Sequence, residues 1–166
     1  MNIQVDGIDD LMKSLSKLEN KTNALAKSTL YEGAKAIADD AKKALQAIPV
    51  MGDKLPYISP AMTAKRGTKL TGVTTQQKAD IIKGLGISRM RTEGGEVNVR
   101  IGFSGYTVDG TGKGRKPVAL LVRAMESGTS FSQKTPIVRK AYANAKPKAT
   151  EAMQKHLDKV IRESFD

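Results

Sequence analysis

The chain has 166 residues, of which 39% are apolar and 4% aromatic, with no tryptophan and no cysteine. This length is typical of one domain with one core, and the lack of cysteine excludes disulfides and thiolate metal sites. The net charge of +11 favours nucleic acid or an acidic protein surface as a partner, although it also serves solubility.

The first residues predict a short strand followed by a helix. Ile3 and Val5 alternate with a polar residue, and Asp6 is a suitable N-cap for the apolar stripe of residues 8 to 18. No signal-peptide pattern opens the chain, and no apolar run approaches the roughly 18 residues of a membrane span. We therefore expect a soluble protein that folds in a reducing cytoplasm.

A second, Ala-rich helix is predicted after the polar spacer of residues 19 to 23. Its apolar stripe runs from residue 30 to residue 48, and Pro49 is expected to end it. The small side chains of this stripe would let a sheet or another helix approach closely.

Residues 49 to 74 contain three prolines and three glycines and show no periodicity. A long unpatterned segment inside a compact domain is usually functional or disordered. We predict a basic loop that either reaches for a partner or is disordered. Its basic residues are Lys54, Lys65, Arg66 and Lys69.

A β-hairpin is predicted next. Leu85 and Ile87 begin one strand, residues 93 to 95 have turn chemistry, and apolar residues alternate with polar ones from 97 to 103. Residues 104 to 117 contain four glycines and are predicted to form a second flexible, basic loop.

The last third of the chain predicts two helices. Apolar residues at helical spacing run from 118 to 125, and Gly128 suits a left-handed C-terminal cap. Thr135 as N-cap and Pro136 as first residue begin the last helix, whose stripe continues through Pro147, so one kinked helix is expected. The predicted fold is a single α+β domain, residues 1–166, with a small antiparallel sheet packed on the long Ala-rich helix.

Catalytic chemistry is not indicated. The single histidine, His156, lies on an apolar helical stripe, where a packed residue is more common than a catalyst. Residues 110 to 114 read Gly-Thr-Gly-Lys-Gly but lack the first glycine and the final Ser or Thr of a phosphate-binding loop. We therefore predict no enzyme, no metal and no cofactor.

Nucleic-acid binding has partial support. All of the excess positive charge lies after residue 48, and Arg89, Arg91 and Arg100 gather in the predicted hairpin. No recognition helix and no cluster of stacking aromatics is visible, so only non-specific phosphate contact is indicated. The candidate DNA-facing residues in the second loop are Lys113, Arg115 and Lys116.

Several short motifs follow one another in a recognisable order. They are Gly7-Ile8-Asp9-Asp10-Leu11, Ala47-Ile48-Pro49, Met125-Glu126-Ser127-Gly128-Thr129 and Pro136-Ile137-Val138-Arg139-Lys140-Ala141. In this order the chain resembles the tail-completion, or head-to-tail joining, family of long-tailed phages. It departs from the family pattern at Ser127, where an aromatic is usual, and at Ile137, where Phe is usual. Residues 70 to 73 match the usual Thr-Gly-x-Leu motif only in part.

The resemblance implies a structural virion protein. Such a protein forms a ring, commonly of six copies, that caps the tail tube and meets the neck or head-completion protein at the top of the tail, after assembly in the host cytoplasm. The alternative is a basic nucleic-acid-binding accessory protein that acts as a monomer.

Interface residues are predicted from the motifs and from the first basic loop. They are Glu126, Gly128, Thr129, Pro136, Arg139, Lys140, Lys65, Arg66 and Lys69. Positive charge at the N-terminal end of the last helix is unfavourable and requires an anionic partner. Glu126 is the nearest candidate for that partner, followed by a neighbouring subunit or a DNA phosphate. Glu126 and Arg139, at the two ends of a tight loop, are predicted to form an ion pair that fixes this corner or bridges subunits.

Overall fold

The structure is a computed structural model that describes residues 8–53, 69–93, 96–108 and 114–165. Its helices are α1 (Ile8–Leu45), α2 (Thr75–Gly84), α3 (Val118–Ser127) and α4 (Ile137–Phe165). Its strands are β1 (Leu85–Ile87), β2 (Arg91–Glu93), β3 (Glu96–Asn98), β4 (Ile101–Phe103), β5 (Tyr106–Val108) and β6 (Arg115–Pro117). The predicted α+β class is confirmed. No helix in the described ranges is long and apolar enough to cross a membrane.

One long helix, α1, replaces the two helices predicted for the first 48 residues. The polar spacer of residues 19 to 23 contains neither Gly nor Pro, so it interrupts the apolar stripe without breaking the backbone. The helix ends at Leu45, before Pro49, in a tightened turn where Ile48 N donates to the Leu45 carbonyl at 3.2 Å. The strand predicted at Ile3 and Val5 and the Asp6 cap lie outside the described residues.

Helices α1 and α4 pack antiparallel. Lys148 Nζ donates to Asp40 Oδ2 at 2.7 Å, and His156 Nε2 lies 3.0 Å from Ser28 Oγ further along the pair. The hydrogen bond from Lys148 lowers the pKa of the Asp40 carboxyl below its ordinary value. Close approach of the helices depends on small buried residues. These are Gly33, Ala34, Ala41, Ala145 and Ala149.

The core lies at the C-terminal end of α1, where α2, α3 and the start of α4 converge. Its buried residues are Leu45, Ile48, Val73, Ile81, Val118, Val122, Met125 and Val138. All are aliphatic or methionine. Phe103 and Tyr142 are only partly buried against this cluster. The core is therefore small and contains no fully buried aromatic among the described residues.

The predicted hairpin of residues 85 to 103 is confirmed. It consists of two antiparallel ladders in line: β1 pairs with β4, and β2 pairs with β3 next to the turn. Ile87 faces Ile101 at the end of the first ladder, and Arg91 faces Asn98 at the start of the second. This sheet contacts α1 through β1.

The prediction of a flexible loop at residues 104 to 117 is wrong at residues 106–108 and 115–117, where β5 and β6 pair as a second antiparallel hairpin, while residues 109 to 113 lie outside the described part of the chain. The β5–β6 hairpin packs against α2, a helix that the sequence analysis did not predict. Thr74 caps α2 in a reciprocal capping box with Gln77, and Gln77 Nε2 also donates to the Val108 carbonyl at 3.1 Å. The buried Thr107 is on the inner side of the hairpin.

The ends of the segment 49 to 74 are tied into the fold by backbone pairing. Val50 and Val73 form a parallel bridge, and Leu70 forms another with Ser132. The prediction of one unpatterned loop is therefore wrong at both ends, while residues 54 to 68 lie outside the described part of the chain.

Helix α4 continues through Pro147, which confirms one helix in place of two.

Candidate functional site

Two of the four motifs that carry the family resemblance, residues 125 to 129 and 136 to 141, meet at one corner of the structure. We call it the Glu126 corner: the end of α3, the loop of residues 128 to 136 and the first turns of α4, together residues 125 to 142. The structure brings six of the predicted interface residues together there. They are Glu126, Gly128, Thr129, Pro136, Arg139 and Lys140.

Glu126 caps the start of α4 from outside that helix. Its carboxylate accepts from Val138 N at 2.6 Å and from Arg139 N at 3.2 Å, and its side chain is only 6% exposed. Backbone N–H groups in the first turn of a helix have no partner within the helix, and the helix dipole favours a negative charge there. A buried carboxylate is therefore satisfied by two donors that would otherwise lack an acceptor.

Thr135 does not cap α4 as predicted. Helix α4 begins at Ile137, after Pro136, and the Thr135 hydroxyl donates to the Gln133 carbonyl at 3.4 Å. The Thr135 N–H donates instead to the Met125 carbonyl at 2.8 Å, which joins the loop to the end of α3. The local Thr-Pro pattern was overridden because Glu126 already occupies the N–H groups of the first turn.

The predicted contact between Glu126 and Arg139 is confirmed within one chain. Arg139 Nε lies 3.8 Å from Glu126 Oε2, and Arg139 Nη2 donates to Ser127 Oγ at 3.3 Å. The arginine side chain is 66% exposed, whereas the glutamate is buried. Of the two predicted roles, the geometry supports fixing the corner, because both carboxylate oxygens are already used inside the subunit.

The loop of the Glu126 corner is held by its own backbone. Gly128 has a φ of +73°, a conformation that favours glycine, and a Cβ there would lie 3.1 Å from Lys134 N. Its ψ of 165° differs from the predicted left-handed helical cap. The Thr129 hydroxyl accepts from Phe131 N at 3.2 Å and from Ser132 N at 3.0 Å, so Thr129 closes a tight turn.

A strap of residues 69 to 73 joins the corner to the end of α1. Leu70 N donates to the Phe131 carbonyl, and Gln133 N donates to the Leu70 carbonyl, both at 2.8 Å. Lys69, next to Leu70 in this pairing, is exposed, and Phe131 is 41% exposed. No local pattern predicts this pairing, since the partners are about 60 residues apart.

Tyr142 lies one turn into α4, behind Glu126. Burial raises the pKa of its hydroxyl above the ordinary value, and the negative charge of Glu126 raises it further. The hydroxyl oxygen is buried without a hydrogen-bond partner among the described residues. Tyr142 also borders an apolar cavity of about 310 Å³ between α1, α4 and the first hairpin.

The other predicted site residues do not join the corner. Arg115 and Lys116 are on β6, where the Arg115 guanidinium lies 5.4 Å from the centre of the Tyr106 ring. This stacking engages Arg115 within the chain. Lys65, Arg66 and Lys113 lie outside the described residues.

Within the described part of the chain, no group of three or more His, Cys, Asp or Glu side chains could hold a metal ion. No protein-family model, curated protein or solved structure matches this chain.

Proposed function

We propose that this chain is a ring-forming tail-completion, or head-tail connector, subunit of a tailed phage. The observation that carries the proposal is the Glu126 corner, because the residues of the family motif, 125 to 129 and 136 to 141, are joined there by one buried carboxylate. The ring caps the tail tube, joins it to the neck or head-completion protein, and is commonly built of six copies.

The distribution of exposed apolar side chains supports a ring. A closed ring requires two different patches on each subunit that meet around the circle. Patch one consists of Tyr106 and Leu120, 60% and 56% exposed, at the base of the β5–β6 hairpin. Patch two is proposed to comprise Phe131 and Val50, 41% and 43% exposed, whose backbones border the strap at Leu70 and at Val73. These patches are the proposed complementary surfaces.

The small aliphatic core also supports assembly. Association of folded subunits stabilises the folded form by mass action, so a ring subunit needs less internal burial than a monomer. Lys69 and Lys140 are exposed, and we place them at the rim of the contact. Rim charges act more on the rate and register of association than on its strength.

Ring formation is tested by native mass spectrometry and negative-stain electron microscopy of the purified chain. We expect closed rings for the native chain, and monomers for Y106S/L120S and for F131S/V50S. Ile161→Ser is the matched control, because Ile161 is 41% exposed on α4, away from both patches.

Mixing the two defective variants gives a sharper result. Each retains one intact patch, so a head-to-tail interface predicts dimers that cannot close into rings. A native chain that stays monomeric at all concentrations, or a control as defective as the patch variants, would contradict the proposal.

A monomeric nucleic-acid-binding protein is the second candidate. It is favoured by Arg89, Arg91 and Arg100, whose guanidinium groups make no ion pair with a described side chain. Tight DNA binding in a salt series by a chain that remains monomeric would favour this candidate over the ring.

A further inference from the structure

The first hairpin contains a β-bulge. Between the pair Ile87–Ile101 and the pair Arg91–Asn98, three residues on one strand, 88 to 90, face two on the other, 99 and 100. Ser88 holds this mismatch: its N–H donates to the Arg100 carbonyl at 2.7 Å, and its hydroxyl accepts from Arg100 N at 2.9 Å. Such an extra residue shifts the side-chain alternation of its strand.

The bulge determines whether the arginine side chains lie on the half-buried face or on the exposed face of the hairpin. In an unbroken strand Arg89 and Arg91 would alternate in phase with Leu85 and Ile87, which are half-buried. With the extra residue, Met90 takes the half-buried position, and Arg89 and Arg91 are both exposed. Two arginines are therefore moved off the apolar face.

The return strand supplies the third arginine to the same face. Asn98 and Arg100 are exposed, whereas Val99 and Ile101 between and beyond them are half-buried. Asn98 is the direct cross-strand partner of Arg91. The two strands thus present their polar side chains together on the outer face of the hairpin.

These side chains line one small groove of about 150 Å³. Its lining residues are Ser88, Arg89, Arg91, Asn98 and Arg100. Three guanidinium groups face the groove, and no described carboxylate forms an ion pair with any of them. Among the described residues, the groove therefore holds three positive charges without a paired carboxylate.

We propose that this arginine groove binds the phosphate backbone of duplex DNA. Guanidinium forks match phosphate oxygens in a bidentate geometry, and phosphates spaced along a strand can satisfy several arginines together. No aromatic side chain lines the groove, so it contacts backbone and does not read bases. The segment that carries it, residues 49 to 117, holds seven of the eleven net positive charges.

This site differs from the DNA-facing residues expected in the second loop, because Arg115 there is stacked on Tyr106. It also lies on neither apolar patch. DNA binding through the arginine groove therefore goes beyond the proposed ring, and it can be measured on the F131S/V50S variant, which is expected to be monomeric and keeps Arg115 stacked on Tyr106. Failure of ring assembly and failure of DNA binding are then separate results.

The test is fluorescence anisotropy with a labelled random-sequence duplex over a salt series. The variant R89Q/R91Q/R100Q is compared with K21Q/K27Q/K35Q, which removes the same charge from exposed positions of α1. We expect the arginine variant to bind at least about tenfold more weakly and to lose about three from the slope of log K against log salt, roughly one per phosphate contact. The lysine control should lose less than about threefold and less than one in slope.

A lysine variant and a folding control separate loss of the guanidinium groups from loss of charge or of the fold. R89K/R91K/R100K retains the charge without the fork, so it should keep the salt slope and bind more weakly than the native chain. Far-UV circular dichroism and thermal unfolding confirm that each variant folds. Equal losses in the arginine and lysine triple variants would overturn the proposal. Displacement of the duplex by polyglutamate as effectively as by unlabelled DNA would also overturn it, in favour of an acidic protein surface.

Discussion

At the scale of single residues, the Glu126 corner depends on the carboxylate more than on the ion pair. Glu126 is buried and accepts two backbone hydrogen bonds, whereas Arg139 is largely exposed and lies 3.8 Å away. Charge-assisted hydrogen bonds in a buried site are stronger than a solvent-screened ion pair. The two partners should therefore contribute unequally to stability.

Glu126→Ala is expected to lower the free energy of unfolding by roughly 2–3 kcal/mol, because it leaves Val138 N and Arg139 N without acceptors. Arg139→Ala should cost less than about 1 kcal/mol. Denaturant titration at neutral pH measures both. Glu151→Ala, an exposed glutamate paired with Lys155, is the control and should change stability by less than about 0.5 kcal/mol. Equal losses for Glu126→Ala and Arg139→Ala would contradict this unequal division.

The sequence predicted that Glu126 and Arg139 approach each other, but it did not predict the cap. The pair is close in sequence, and its charges are complementary across one short loop. The local pattern at Thr135 and Pro136 matches a helix start, so it concealed a cap that comes from twelve residues upstream. Local patterns cannot reveal which distant side chain reaches a helix end.

At the scale of elements, helices with a clear apolar stripe were predicted, whatever their length. Helices α3 and α4 have such stripes, and α1 was predicted as two helices because polar residues interrupt its stripe, whereas α2 has ten residues and only a weak stripe. Its capping box pairs Thr74, the last residue of the predicted loop, with Gln77, in a stretch for which the sequence analysis predicts no element. Strands β5 and β6 have three residues each and follow glycines, so their alternation was too short to predict.

Pro147 lies inside α4, and replacing it tests what an interior proline costs this helix. Proline removes one helical hydrogen bond and clashes with the preceding turn. Pro147→Ala should therefore raise the free energy of unfolding by roughly 1–3 kcal/mol in a denaturant titration. Lys146→Ala, at the exposed neighbouring position, should change it by less than about 0.5 kcal/mol. A loss of stability in Pro147→Ala would show that a bend here is needed to pack Ala145 and Ala149 against α1.

The contact between Gly33 and Met153 sets the spacing of α1 and α4. A Cβ at Gly33 would lie 2.7 Å from both Cγ and Sδ of Met153. Gly33→Ala should lower the free energy of unfolding by roughly 1–3 kcal/mol through overpacking. In a Met153→Ala background the same change should raise it by about 1 kcal/mol, the helix preference of Ala over Gly. A double-mutant cycle measures this reversal, and additive effects would count against the contact.

At the scale of the whole molecule, the small core and the two exposed apolar patches belong together. The largest fully buried side chains are Leu45, Ile48, Ile81 and Val118, and no aromatic ring is fully buried among the described residues. Tyr106 and Phe131, which would add most to a core, are exposed. Composition indicated the small core, but only the fold shows which large apolar side chains remain exposed.

Stability should therefore depend on protein concentration. If folded subunits associate, a hundredfold increase in concentration above the dissociation constant stabilises the fold by up to about 2.7 kcal/mol. We expect the Tm of the native chain to rise with concentration and the Tm of Y106S/L120S to stay constant. A native Tm that does not change over this range would argue against association through these patches.

The cap supplied by Glu126 also links the opening of two helices. The first N–H groups of an ordinary helix exchange with solvent by fraying of that helix alone. Here the amides of Val138 and Arg139 are bonded to a carboxylate on α3, so their exchange requires that α3 move away as well. In native-state hydrogen exchange these two amides should be protected like the interior of α3, so that the start of α4 and the end of α3 open as one cooperative unit.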